Sequence, residues 1–274
     1  MTYITTRDGT KLYTKDWGTG RPVILIHGWP LSADSWDDQA MAFADAGFRV
    51  ISYDRRGFGR SEQPWGGYDY DTFSDDLADV MGATGATNAT ICGFSMGGGE
   101  VARYLSRHSG KNVSQAILVS SVVPYMLKTP DNPNGVPQTL FEQMTAGMKK
   151  DRAHFFAGFF KDFYGVGLVS HPVSDEVLEN SRDVAMMASL KATLAAANAF
   201  ATTDFRPDLA SFTVPTLIIH GTDDKTVPID ATSRETAKAI PHAKLIEYDG
   251  APHGLAATHK EQLTNDILAF LRQM

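Results

Sequence analysis

The sequence predicts an α/β protein: a mostly parallel sheet covered by helices on both faces, with a helical segment inserted in its second half. Three observations predict it. Continuous runs of β-branched residues and leucine recur along the chain, of the kind buried on both faces of a parallel sheet. Helical stretches lie between most of these runs, and strand–helix–strand alternation implies parallel pairing through right-handed crossovers. The rhythm breaks between about Val122 and Pro215 and then resumes.

Taken in order, residues 11–17 alternate in the two-residue rhythm of a half-exposed strand. Val23-Ile24-Leu25-Ile26 is a buried run, and these two opening strands are expected to form an antiparallel hairpin at the sheet edge. Further buried strands are predicted at 49–53, 89–93, 116–120, 216–220 and 244–248, and helices at 33–46, 70–81, 97–108, 230–240 and 257–271. The interruption opens with Pro124, Pro130, Pro133 and Pro137, none compatible with a helix interior. Beyond them it reads as helical and rich in aromatics, among them Phe141, Phe155, Phe156, Phe159, Phe160, Phe163 and Tyr164. The expected organisation is one structural domain, a core of 1–121 and 215–274 with a helical cap of 122–214 over the carboxyl edge of the sheet.

Composition narrows the function. The 274 residues are 43% hydrophobic and 21% charged, enough apolar material for a sizeable core and unlike a disordered chain. Net charge −7 argues against nucleic acid as the main partner, because phosphate binding needs clustered Lys and Arg. A single cysteine, Cys92, permits no intrachain disulfide, so nothing requires an oxidising compartment. The opening residues hold no long apolar run and no stretch reaches eighteen uncharged apolar residues; the expectation is a cytoplasmic protein with no membrane partner.

The sharpest chemical signal is Gly93-Phe94-Ser95-Met96-Gly97, between an apolar strand and a helix. G-x-S-x-G in that context is a nucleophile elbow: a strained turn holds the serine hydroxyl clear of the sheet, and small flanking residues let the chain pass close by. Serine alone is a poor nucleophile and needs a base and an orienting acid, in the chain order Ser, Asp or Glu, His. His253 follows the last strand, and Asp223 and Asp224 follow the strand at 216–220, both at carboxyl ends where open α/β sheets place their sites. Asp224 is favoured, because Lys225-Thr226-Val227-Pro228 sets it at a fixed distance from the next helix, with Asp223 as a turn or capping residue. His27-Gly28-Trp29-Pro30 ends an early strand and supplies the second oxyanion donor, so the backbone N–H groups of Trp29 and Met96 are the candidates; Pro30 has none to offer.

Several segments carry a resemblance: His27-Gly28-Trp29-Pro30, Tyr53-Asp54-Arg55-Arg56-Gly57-Phe58-Gly59-Arg60-Ser61, Gly93 to Gly99, Thr203 to Asp208 and Ala251-Pro252-His253-Gly254. Over nearly its whole length the sequence resembles the α/β-hydrolase superfamily, in particular bacterial aryl esterases and cofactor-free haloperoxidases, or perhydrolases. The family pattern G-x-x-D-x-x-x-P falls on Gly221 to Pro228 and places the acid at Asp224. The resemblance implies an eight-stranded sheet, a triad of Ser95, Asp224 and His253, and an acyl pocket lined by Trp29, Phe94, Met96, Val122, Phe159, Phe163 and Val227. It also implies cleavage of small aryl or short-chain esters, hydrogen peroxide as an alternative acyl acceptor, no cofactor, and self-association into a homo-oligomer.

Other features read as structural. No histidine pair has metal-ligand spacing, and the glycine clusters match no nucleotide-binding loop. His27 and His220 each precede a glycine at a strand end and are expected to support the site loops. Asp54 with Arg55 and Arg56 is read as buried ion pairing that fixes a loop, and Cys92 as inert packing. Ser95 argues against the dehalogenases and epoxide hydrolases of this fold, which need an aspartate at the elbow. Amide, lactam or carbon–carbon bond hydrolysis on the same triad, and slow-turnover ligand binding, are the alternatives.

Overall fold

The computed structural model describes residues 2–273. Its eight strands are β1 (Thr2–Thr5), β2 (Lys11–Trp17), β3 (Pro22–Ile26), β4 (Arg49–Tyr53), β5 (Ala89–Phe94), β6 (Val113–Val119), β7 (Thr216–Gly221) and β8 (Lys244–Tyr248). They form one sheet in the order β1-β2-β4-β3-β5-β6-β7-β8, antiparallel at β1–β2 and β2–β4 and parallel from β4 onward. The helices are α1 (Asp37–Asp45), α2 (Tyr70–Thr84), α3 (Met96–Arg107), α4 (Gln138–Tyr164), α5 (Asp175–Met187), α6 (Leu190–Thr202), α7 (Ser233–Ala239), α8 (Leu255–Thr258) and α9 (Lys260–Leu271).

The opening hairpin differs from expectation. The partner of β2 in the hairpin is β1, with Tyr3 opposite Tyr13, while β3 lies on the far side of β4. Val23, Ile24, Leu25 and Ile26 are fully buried, and a run apolar on both faces needs a strand on either side, which β4 and β5 supply. The hairpin turns at Asp8-Gly9, where Gly9 has φ +91° and the Thr6 N–H donates to the Thr10 carbonyl at 2.9 Å. Smaller differences follow helix ends: the helix predicted at 33–46 opens as a 3-10 turn, Ala33–Trp36, before α1, and the last one divides at His259 into α8 and α9.

Residues 122–214 carry α4, α5, α6 and a 3-10 turn, Arg206–Ser211. Phe156 and Phe159 of α4 and Phe200 of α6 pack on the Trp29 ring just past β3, and Phe163 packs on Phe94 at the end of β5. These helices therefore lie against the carboxyl edge of the sheet. Helix α4 is bent at Asp151, whose φ of −160° and ψ of 93° leave the helical range; its carboxylate accepts the His154 N–H at 2.9 Å and starts the second half. Among the described residues no single helix is long and apolar enough to cross a membrane.

Charged groups are buried in pairs. Arg55 meets Glu100, to which the Tyr53 hydroxyl also donates at 2.7 Å, and Arg56 meets Asp76 at 2.6 Å. Asp54 instead takes Arg60 at 2.8 Å and the Ala33 N–H at 2.9 Å, so the three adjacent charges fix the loop through three different partners. Cys92 is fully buried in β5, and burial pushes its thiol up from the ordinary range.

Candidate active site

The elbow follows from local sterics. Ser95, between β5 and α3, has φ 54° and ψ −119°, a conformation costly for any L-residue. A Cβ on Gly93 would run into the Gly97 carbonyl, and one on Gly97 would lie 2.6 Å from the Ile26 carbonyl oxygen, so both flanking positions need glycine. The turn is anchored by the Ser95 N–H, which donates to the Val119 carbonyl at 2.8 Å.

Three loops from distant parts of the chain meet at the serine. His253, after β8, brings Nε2 to 2.9 Å from Ser95 Oγ and Nδ1 to 2.6 Å from Asp224 Oδ2. Since an ionised carboxylate only accepts, Nδ1 carries the hydrogen and Nε2 is free to accept from the serine hydroxyl. The other oxygen of Asp224, Oδ1, accepts the N–H groups of Thr226 at 2.9 Å and Val227 at 2.8 Å. Burial pushes the Asp224 carboxyl up, but the charge of His253 and hydrogen bonds from His220 and His253 outweigh it and hold it below the usual carboxylate range. The structure thus brings Asp224 to the histidine, whereas Asp223 points to solvent with its side chain 59% exposed, near Lys225.

The two candidate oxyanion donors are poised in different ways. Met96 is the first residue of α3, where an N–H has no intrahelical acceptor. At Trp29 the orientation is set by the preceding peptide. The Gly28 carbonyl accepts from His27 Nδ1 at 2.8 Å and from the Leu31 N–H at 3.0 Å, which leaves the Trp29 N–H of the same trans peptide pointing the opposite way. His27 can donate from Nδ1 because its Nε2 accepts the Arg55 N–H at 2.9 Å. Burial, together with the nearby Arg55, lowers the His27 pKa well below its ordinary value and keeps the ring neutral. Among the described residues neither the Trp29 nor the Met96 N–H donates to a protein acceptor.

Ser95 opens into a cavity of about 540 Å³ lined by Trp29, Val122, Phe159 and Val227 among the expected residues. Phe94, Phe163 and Met96 require correction as pocket residues. Phe94 and Phe163 line a separate cavity of about 190 Å³, and their rings pack on the His253 imidazole with centroids 5.1 and 4.8 Å away. Phe94 precedes the serine and so projects to the other side of the elbow, while Phe163 lies one turn beyond Phe159 and meets the histidine instead of the open space. The Met96 side chain is fully buried and lines neither cavity. Sequence reasoning missed Leu140, Phe141, Phe155 and Phe200 on the wall, and Asp162 and Lys225 as its charged members. The only available signal for the aromatics was their density in the insertion.

The α/β hydrolase fold family matches residues 21–260. The chain belongs to that family. Two relatives of this α/β hydrolase, each 42% identical, are a non-heme chloroperoxidase from Kitasatospora aureofaciens, with 100% of each chain covered, and a bifunctional esterase/perhydrolase from Acinetobacter calcoaceticus, covering 99% of this chain and 100% of the relative. Among solved structures, the bromoperoxidase from Bacillus anthracis superposes with a TM-score of 0.96 at 43% identity, over 99% of both chains. The α/β hydrolase described here therefore shares its whole length with proteins named for two chemistries, ester cleavage and peroxide-dependent halogenation.

Proposed function

We propose that this α/β hydrolase cleaves small carboxylic esters through an acyl-enzyme and passes the acyl group to hydrogen peroxide as well as to water. The observation that carries the reading is the alignment of Ser95 Oγ, His253 and Asp224, at 2.9 and 2.6 Å, at the base of a largely apolar cavity. His253 Nε2 takes the proton as Ser95 Oγ attacks the ester carbonyl, and Asp224 stabilises the imidazolium so formed. The Trp29 and Met96 N–H groups hold the tetrahedral oxyanion, each worth about 3 kcal/mol. Collapse expels the alcohol with the proton from His253, leaving the acyl-serine. Water, deprotonated by the same nitrogen, releases the acid; hydrogen peroxide in its place releases a peracid. The peracid then transfers its terminal hydroxyl to bromide or chloride, giving hypohalous acid and the carboxylate.

A wall of Phe, Leu and Val side chains selects an uncharged, moderately apolar ester with a short acyl group, and residues 122–214 serve as the cap that supplies most of that wall. The relatives named as esterase/perhydrolase and chloroperoxidase support both branches of the reaction. The test is p-nitrophenyl acetate hydrolysis and peroxide-dependent bromination, measured in wild type and Ser95→Ala. Both are expected to fall at least 10³-fold together. Retention of either at near wild-type rate removes Ser95 from that reaction.

A further inference from the structure

Behind the Asp224 carboxylate lies a second buried histidine. His220, in β7, is fully buried, and its Nε2 sits 3.1 Å from Asp224 Oδ2, the same oxygen that His253 approaches, and 2.9 Å from the Val227 carbonyl. Both neighbours of Nε2 are acceptors, so Nε2 carries a hydrogen shared between them. On the other side of the ring, Nδ1 is 2.6 Å from the hydroxyl of Ser233, the first residue of α7. A neutral ring with hydrogen on Nε2 needs a donor at Nδ1, and the Ser233 hydroxyl is that donor. Neutrality also follows from charge: His253 becomes imidazolium during turnover, and one carboxylate does not offset two cations in a buried site.

We infer that His220, with its tautomer set by Ser233, is a positioning residue for the catalytic carboxylate. It acts twice on the same group. It contacts Oδ2 directly, and it holds the carbonyl of Val227, the residue whose own N–H donates to Oδ1. Asp224 is thereby approached by four donors, Thr226, Val227, His220 and His253, and its plane is set before His253 engages it. The direct contact withdraws charge from Oδ2, so the carboxylate stabilises the His253 imidazolium less than a carboxylate free of His220 would. The other charged groups facing this part of β7 are already paired: Glu247, opposite His220 in β8, is held by Arg234 at 2.6 Å, and Arg234 also meets Asp230 at 2.7 Å.

The inference rests on the triad reading above, and its test separates the two. In Ser95→Ala, where turnover is irrelevant, 15N NMR of the His220 ring is expected to show hydrogen on Nε2 and a bare, hydrogen-bonded Nδ1; hydrogen on Nδ1 overturns the assignment whatever the enzyme does. In the active enzyme, His220→Leu removes the donor, whereas His220→Gln returns an amide N–H near the Nε2 position. With p-nitrophenyl acetate, and rates normalised to burst-titrated active sites, His220→Leu is expected to lower kcat on the order of tenfold with KM within twofold. The acidic limb of its kcat/KM profile moves to higher pH, and His220→Gln recovers most of both changes. Equal losses in the two variants, or an acidic limb that stays in place in His220→Leu, reduce His220 to packing and overturn the inference. Should His220→Leu fail to fold, Ser233→Ala carries the test: it frees the tautomer and is expected to lower kcat several-fold with the same displacement of the acidic limb. A wild-type profile in Ser233→Ala counts against the inference.

Discussion

Asp223 and Asp224 differ by one position and by almost everything else: one is in solvent, the other is sealed against two imidazoles and two backbone amides. Asp223→Asn is therefore expected to keep ester hydrolysis within twofold of wild type, whereas Asp224→Asn, which favours the wrong His253 tautomer, loses about 10⁴-fold in kcat. The same variant tests a stability linkage. The folded carboxyl of Asp224 titrates below its ordinary value of 3.8, so the unfolded chain binds the proton first as pH falls. Its contribution is fully present above that value and is lost as pH drops through and below it. Urea midpoints followed on acidification should thus fall less steeply for Asp224→Asn than for wild type. Ser95, Asp224 and His253 could be picked out because each sits in a local context, an elbow between strand and helix or a loop that follows a strand, and the fold brings them within hydrogen-bond reach. The lining was less so. Trp29, Val122, Phe159 and Val227 line the cavity, but Phe94 and Phe163 face the other side of His253, and which side a ring takes is decided by packing between residues far apart in sequence.

At the scale of elements, the centre of the sheet could be read directly, because only a strand buried on both faces tolerates runs such as Val23-Ile24-Leu25-Ile26. The edge could not. Thr2–Thr5 is four residues with one buried side chain, and its hairpin signal was the Asp8-Gly9 turn and not any alternation in the strand itself. The bend in α4 was equally hidden, since Lys149-Lys150-Asp151-Arg152 is ordinary helical sequence. The structure gives Asp151 a task there, accepting the His154 N–H at the start of the helical half that carries Phe156, Phe159 and Phe163. Asp151→Ala is expected to lose about 1 kcal/mol of stability in urea denaturation. The accompanying rise in KM for p-nitrophenyl esters, with kcat less affected, would show that the bend places the cavity wall.

For the whole molecule, the buried Arg55–Glu100 pair joins the parts that must stay in register. Arg55 donates to the His27 carbonyl at 2.7 Å and, from its backbone N–H, to His27 Nε2 at 2.9 Å, while Glu100 belongs to α3, the helix that starts at the nucleophile. Burial raises the Glu100 carboxyl and Arg55 opposes the rise, so removing the cation strands an acid in the core. Arg55→Met is expected to cost about 3–5 kcal/mol by urea denaturation, and Arg55→Met combined with Glu100→Gln less than that. Such a pair is invisible to composition, because 45 residues separate its members. Cys92 has a consequence of another kind. An enzyme that handles peroxide bathes its own sulfur atoms in oxidant, and a cysteine is attacked as its thiolate. Here the single thiol lies under the elbow, shut away from solvent and kept protonated by its surroundings, while the thioethers of Met41 and Met187 stand in the open at 58% and 47% exposure. Peroxide in solution therefore meets these exposed thioethers first, peroxide in the Ser95 cavity meets Met144 on its wall, and the thiol under the elbow is shielded from both.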